Sequence, residues 1–272
     1  MVIKVGVLAL QGGFSEHLVS LRRAAAHLQR GDVECVEVRT PDELAACGAL
    51  IVPGGESTTL SLVAQQSGLL EPLRDFVKQK RKPTWGTCAG LIFLSEEASS
   101  TKRGGQELVG GLDVRVHRNH FGRQKESFVT DLDLAFLRDS AAVEGSSSSP
   151  FPAVFIRAPV VDRLLTDDVD DKSAQAAAGM QISSAAKGTT EEEQEKDRVP
   201  VEVLAILPGR HASNKAALAG DDVSSVQPQG DGDIVALRQA NVFGTSFHPE
   251  LTDDIRIHIW WLQQVLMATT PN

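Results

Sequence analysis

Along the first third of the chain, short apolar runs alternate with stretches whose apolar positions recur every third or fourth residue. Ile3 to Leu10 is mostly apolar and β-branched, the pattern of a strand buried on both faces. After the Gly12-Gly13 break, Ser15 sits where it can cap a helix carrying Leu18, Leu21, Ala25 and Leu28 on one face. Val33 to Val38 and Ala49 to Val52 read as strands, the second ending in Pro53-Gly54-Gly55. Ser57-Thr58-Thr59 opens a helix through Leu60, Val63 and Ala64. Pro72 to Lys80 reads as a further helix, stopped by Lys82-Pro83 ahead of a strand ending at Trp85. Strands alternating with helices imply parallel pairing through right-handed crossovers, with helices on both faces of the sheet. The fold class expected is α/β, a three-layer α/β/α arrangement with a mostly parallel central sheet.

The later part is richer in short strand candidates: Glu107–Val116, Glu126–Leu132, Ala153–Ile156, Val201–Leu207, Ile234–Leu237 and Asn241–Ser246. A last helix, Asp253 to Met267, gathers Ile255, Ile259, Leu262 and Leu266 on one face. Three polar stretches, near 139–150, 166–200 and 209–231, interrupt this pattern and read as surface insertions in a single domain spanning 1–272. The stretch 166–200 holds nine acids against four bases and few large apolar groups. It cannot offset its ordering entropy by burial, and the expectation there is disorder or partial helix.

Composition narrows the function. The 272 residues carry 27 Lys and Arg against 36 Asp and Glu, a net charge of −9. Nucleic-acid binding, which needs a basic face, is disfavoured. No apolar run is long enough to span a bilayer, and Met1 to Val5 leads straight into a strand with no signal-peptide pattern. The three cysteines, Cys35, Cys47 and Cys88, lack metal-ligand spacing, so no metal is expected. A reducing, cytoplasmic compartment fits them best.

The sharpest chemical signal is Gly86-Thr87-Cys88-Ala89-Gly90, between a strand and the helical run Leu91-Ile92-Phe93-Leu94. This is the thiol counterpart of the G-x-S-x-G nucleophile elbow. The sulfur would sit over a helix N-terminus, which favours thiolate, and the Ala89 N–H would face a developing oxyanion. A buried structural cysteine is the competing reading of the same residue. A thiol nucleophile needs a base and the base an orienting group. His248 and Glu250, two apart after a strand, would project to the same side of an extended segment. His17, His27, His211 and His258 compete poorly, whereas His117 and His120 flank Arg118-Asn119 in a credible binding loop. Pro53 to Thr59 ends another strand, and Gly55 there would give a second oxyanion donor. No Lys follows these glycines as a phosphate loop requires.

Six segments in this order carry a family resemblance: Leu8 to Gly12 with Glu16-His17, Pro53 to Thr59, Gly86 to Ile92, His117 to Asn119 with Phe121 to Gln124, Phe155 to Pro159 and Phe247 to Leu251. Together they resemble the glutaminase subunits of pyridoxal 5′-phosphate synthases, which are class I, triad-type glutamine amidotransferases. The resemblance implies a flavodoxin-like fold and a Cys-His-Glu triad on Cys88, His248 and Glu250. It implies L-glutamine contacts at Gly55, Glu56, Ser57, Arg118, Ile156 and Arg157, and an oxyanion hole at Gly55 and Ala89. It further implies a partner interface at Gln11, Gly12, Glu16 and His17, facing a (β/α)8-barrel synthase subunit that receives the ammonia. No cofactor is implied for this chain. Three alternatives remain: an imidazole glycerol phosphate synthase-type glutaminase, a non-enzymatic partner-binding module, and a cysteine peptidase or esterase of α/β type.

Overall fold

The computed structural model describes residues 2–100, 106–118, 127–138, 149–165, 181–184, 199–208 and 232–269. The polar stretches expected as insertions fall outside these residues, apart from 149–150, 181–184 and 199–200. The strands are β1 (Ile3–Leu8), β2 (Val33–Val38), β3 (Ala49–Val52), β4 (Thr84–Thr87), β5 (Ser95–Ser100), β6 (Leu112–His117) and β7 (Ser127–Leu132). They continue with β8 (Phe151–Ile156), β9 (Val160–Leu164), β10 (Gln181–Ser184), β11 (Glu202–Pro208), β12 (Gly232–Gln239) and β13 (Val242–Thr245). The helices are α1 (Phe14–His27), α2 (Pro41–Ala45), α3 (Ser57–Gln66), α4 (Leu70–Arg74), α5 (Ala89–Leu94), α6 (Ala135–Arg138) and α7 (Arg256–Thr269).

Among the described residues one central sheet runs β10-β5-β6-β9-β12-β13-β4-β3-β1-β2, with β11 added to β12. Its β2-β1-β3-β4-β13 half is parallel throughout, as the strand–helix alternation predicts. Beyond β13 the pairing is mixed: β12 is antiparallel to β13, β9 and β11, while β5 and β6 are parallel. β7 and β8 form a separate hairpin.

The continuous apolar character of β3 follows from this position. Ala49 and Ile51 point into one core, with Leu18 and Leu21 of α1 and Ile257, Trp261 and Leu262 of α7. Leu50 and Val52 point into the other, with Leu44, Leu60, Leu73 and Leu91 of the opposite helices. A strand covered on both faces has no solvent side, and hence no polar alternation.

Several sequence expectations need correction. Ser15 does not cap α1. Gly13 holds the N-cap position without a side-chain hydrogen bond, because a larger residue there would press on the Glu250 carboxylate. Ser57 opens α3 as expected, and Glu56 caps it by accepting from the backbone of Thr58 and Thr59. The expected helix 72–80 is α4 followed by a π-turn over Asp75–Gln79. The strand expected to end at Trp85 continues to Thr87, because β13 pairs with it through Thr245. Within the acidic stretch 166–200, Gln181–Ser184 is neither disordered nor helical: it is a strand antiparallel to β5.

The two-sided core gives a direct test. Ile51→Ala, which removes a fully buried side chain from the centre of the sheet, is expected to cost about 2–5 kcal/mol. Leu62→Ala, at a position 51% exposed on α3, should change stability by no more than about 0.5 kcal/mol. Urea denaturation followed by tryptophan fluorescence measures both.

Candidate active site at the carboxyl edge of the sheet

Cys88 stands at the turn between β4 and α5 with φ +50° and ψ −106°, a conformation costing about 1–3 kcal/mol for a residue with a side chain. Its surroundings hold it there. The Cys88 N–H donates to the Thr245 carbonyl at 2.8 Å, and its own carbonyl accepts from Ile92 at 3.2 Å. The flanking glycines are steric requirements. A Cβ on Gly90 would lie 1.9 Å from the Val52 carbonyl oxygen, and one on Gly86 would lie 2.5 Å from the Gly90 carbonyl. Helix α5 therefore packs directly on the backbone of β3 and β4, and the thiol emerges at their carboxyl ends.

β13 delivers the imidazole to the same edge. After Thr245 the chain passes through buried Ser246 and Phe247 to His248, whose N–H donates to the Val154 carbonyl of β8 at 2.8 Å. His248 and Glu250 are not on an extended segment, because Pro249–Leu251 forms a 3₁₀ turn. The turn still brings Glu250 Oε1 within 2.8 Å of His248 Nδ1. A Nδ1–H donated there leaves Nε2 for the thiol. A Cβ on Gly54 would lie 2.5 Å from His248 Cε1 and 3.3 Å from Cys88 Cβ. Only glycine fits between the two.

Burial disfavours a charged imidazole, yet the pKa of His248 is raised to about 10. Hydrogen bonds with Cys88 and Glu250, and the negative charge on each, outweigh the desolvation. Burial likewise opposes ionisation of Glu250. The field and hydrogen bond of His17, then the bond from His248, still hold its carboxyl well below the ordinary range.

In front of the thiol lies a cleft of about 520 Å³, open to solvent and lined by Gly55, Glu56, Ser57, Cys88, Ala89, Ile92, Arg118, Ile156 and Arg157. All six positions expected to contact glutamine thus meet around one cavity with the candidate nucleophile. Desolvation pushes the pKa of Glu56 up, but hydrogen bonds from Thr59 and Thr58 bring it down to about 2. The Glu56 carboxylate lies 3.6 Å from Arg118 Nη2, which also donates to Thr58 Oγ1 at 3.0 Å. Burial lowers the pKa of Arg118, partly countered by Glu56. Ile92 was not anticipated, although its place one helical turn beyond Cys88 is the signal that would have found it. Asn119, His120 and the Phe121–Gln124 run lie outside the described residues.

The expected interface positions divide. Gly12 and Glu16 are exposed. Gln11 bridges to the site loop, donating from Nε2 to the Glu56 carbonyl at 2.6 Å. His17 is not at the surface at all. It is 0% exposed, turned inward by the helical phase it shares with Leu18 and Leu21, with Nε2 3.3 Å from Glu250 Oε2. Its Nδ1 lies 3.0 Å from Nε2 of His258, also fully buried. No signal in either segment reveals the other, 241 residues away.

Among the described residues no three His, Cys, Asp or Glu side chains are grouped to hold a metal ion. No helix there is long and apolar enough to cross a membrane.

Known proteins are similar to this chain in sequence and architecture. A relative from Arabidopsis thaliana, a probable pyridoxal 5′-phosphate synthase subunit PDX2, is 40% identical over 95% of this chain and 84% of its own length. The Saccharomyces cerevisiae pyridoxal 5′-phosphate synthase subunit SNO1 is 38% identical over 96% of this chain and 92% of its own. A solved structure described as a glutamine amidotransferase is 34% identical and superposes with a TM-score of 0.63, covering 96% of this chain and 98% of its own. Residues 7–191 and 211–267 match the SNO glutamine amidotransferase family, to which the chain belongs.

Proposed function

We propose that this chain is the glutaminase subunit of a pyridoxal 5′-phosphate synthase, hydrolysing L-glutamine to L-glutamate and ammonia. The observation that carries this reading is the single cleft joining Cys88, backed by His248 and Glu250, to the Glu56–Arg118 pair. An amino acid presents an α-carboxylate and an α-ammonium. Arg118 offers the first a charge-assisted fork, and the Glu56 carboxylate offers the second a counter-charge. Ile92 and Ile156 give the side-chain methylenes an apolar wall.

The chemistry follows from that pose. His248 takes the thiol proton, and the Cys88 sulfur attacks the side-chain carbonyl carbon of glutamine. The C–N bond electrons of the tetrahedral intermediate leave with nitrogen, which takes its proton from His248 and departs as ammonia. A γ-glutamyl thioester remains on Cys88. His248 then removes a proton from water as it attacks the thioester, and glutamate leaves as the thiol is restored. Backbone N–H groups of Gly55 and Ala89 stabilise the oxyanion, each by about 3 kcal/mol. Ammonia passes to the synthase subunit, a (β/α)8 barrel docked over Gln11, Gly12 and Glu16, in the cytoplasm. No cofactor takes part in the hydrolysis itself. The family relationship favours this reading over an imidazole glycerol phosphate synthase-type subunit, and the complete cleft favours an enzyme over a binding module.

Two measurements test the reading. Cys88→Ala should abolish ammonia release from glutamine, with or without the synthase subunit, while glutamine still binds by calorimetry. Hydrolysis persisting in that variant overturns the nucleophile assignment. The second is pH dependence. Because the His248 pKa is raised from 6.5 to about 10, the imidazolium that protonates the leaving ammonia persists across that interval. The alkaline limb of kcat/KM should therefore fall near pH 10 and not near 6.5. The stability this charge contributes is complete below 6.5 and disappears as pH rises towards 10.

A further inference from the structure

Behind the candidate triad lies a second, fully buried polar pair that the mechanism above leaves unused. His17 reaches in from α1 and His258 from α7, both 0% exposed. They are packed against the Trp85 ring, with centroids 5.6 Å and 5.0 Å from it. Two imidazoles in an apolar core demand a reason, because each N–H must find an acceptor there.

The proton positions follow from the partners. His258 Nδ1 has no hydrogen-bond partner among the described residues. Burial lowers the His258 pKa well below the ordinary value, so the ring carries one proton. On Nδ1 that proton would be an orphaned donor. On Nε2 it points at His17 Nδ1, 3.0 Å away. An unpaired lone pair costs less than an unpaired buried N–H. His17 Nδ1 then accepts, and the His17 proton lies on Nε2. That atom stands 3.3 Å from both Glu250 Oε2 and Thr87 Oγ1. Among the described residues, Glu250 Oε2 meets this 3.3 Å approach, which falls short of an ordinary hydrogen bond, while Oε1 is taken by His248.

We propose that His17 and His258 are a positioning pair for the hydrolytic reaction: His258 fixes the His17 tautomer, and His17 donates to the far oxygen of Glu250. With one oxygen held from behind, the carboxylate keeps the rotamer and the charge that orient His248 against Cys88. The pair matters to hydrolysis only because Cys88, His248 and Glu250 are read as the triad, and it rests on that reading. The titratable groups facing Glu250 are His248 on its own turn, His17 from α1 and, behind it, His258 from α7.

Two variants of similar polarity separate positioning from packing. The amide nitrogen of glutamine falls where His17 Nε2 lies, and that of asparagine only where Nδ1 lies. In the full chain with its synthase subunit, His17→Asn should lower kcat for glutamine hydrolysis about 10- to 100-fold. KM should change by less than about twofold. Its acid limb should move to higher pH, since Glu250 loses the donor that holds its carboxyl ionised. His17→Gln should keep kcat within about fivefold of the parent, with the limb close to its original place. Equal kcat values and equal acid limbs in the two variants overturn the proposal. If either fails to fold, as read by its melting curve, the contrast moves to position 258. There His258→Gln retains a donor to His17 and His258→Leu does not, and equality again overturns it. Cys88→Ala, assayed alongside, keeps the outcomes distinct: activity in that variant would sink the triad reading, whereas its silence beside equal His17 variants would sink only the positioning pair.

Discussion

The parallel register of β4 on β13 is the constraint from which the site follows. Gly86 pairs with Gly244 and Thr87 with Thr245, so both strands reach the carboxyl edge of the sheet in step. Cys88 then bonds back to the Thr245 carbonyl, while β13 continues three residues further to His248. Thiol and imidazole, 160 residues apart in numbering, thus depend on one ladder of hydrogen bonds for their separation. A slip of one residue would turn every side chain of β13 to the opposite face and carry His248 away from the thiol. Phe243, Thr245 and Phe247 are all buried, which makes that slip costly and the geometry a property of the core.

That core tolerates an unusual polar load. Glu250, His248, His17 and His258 are all buried, and His17 and His258 pack against Trp85. An isolated buried carboxylate would neutralise itself by taking a proton. Here each oxygen of Glu250 faces an imidazole nitrogen on a different element. The charge is therefore sustained by geometry from two sides, by His17 of α1 and by His248 just before the 3₁₀ turn. The removal of any one partner leaves the others uncompensated, which is why such networks respond to single changes as a unit.

The parts of this arrangement legible in the sequence are those encoded locally. The two-sided strands β1 and β3, the glycine-flanked cysteine and the His-x-Glu spacing each carry their pattern within a few residues. What escaped depends on partners distant in sequence. β5, Ser95–Ser100, is polar enough to read as a loop, yet it is a strand because its charges are met across the sheet. Glu97 pairs with Arg115 of β6, and Glu96 accepts from Lys78 and from the Gly111 backbone. β10 escaped for the same reason, since it exists only as the antiparallel neighbour of β5. The cap of α1 differs for another reason. Ser15 looks like a better cap than Gly13 by propensity alone, and only the Glu250 carboxylate, supplied from the other end of the chain, makes glycine the residue that fits.

The segment Gln11–His17 consequently does more than begin a helix. At its start, Gln11 grips the Glu56 backbone beside Gly55. At Gly13 it packs on the near side of Glu250, and one turn later His17 meets the far oxygen. Both halves of the reaction apparatus, the loop that would cradle an oxyanion and the carboxylate that would orient the base, are therefore braced by seven consecutive residues. Gly12 and Glu16 on the outer side of that same segment are open to solvent. The same seven residues thus present a solvent-exposed outer side and an inner side that touches the Glu56 backbone and Glu250.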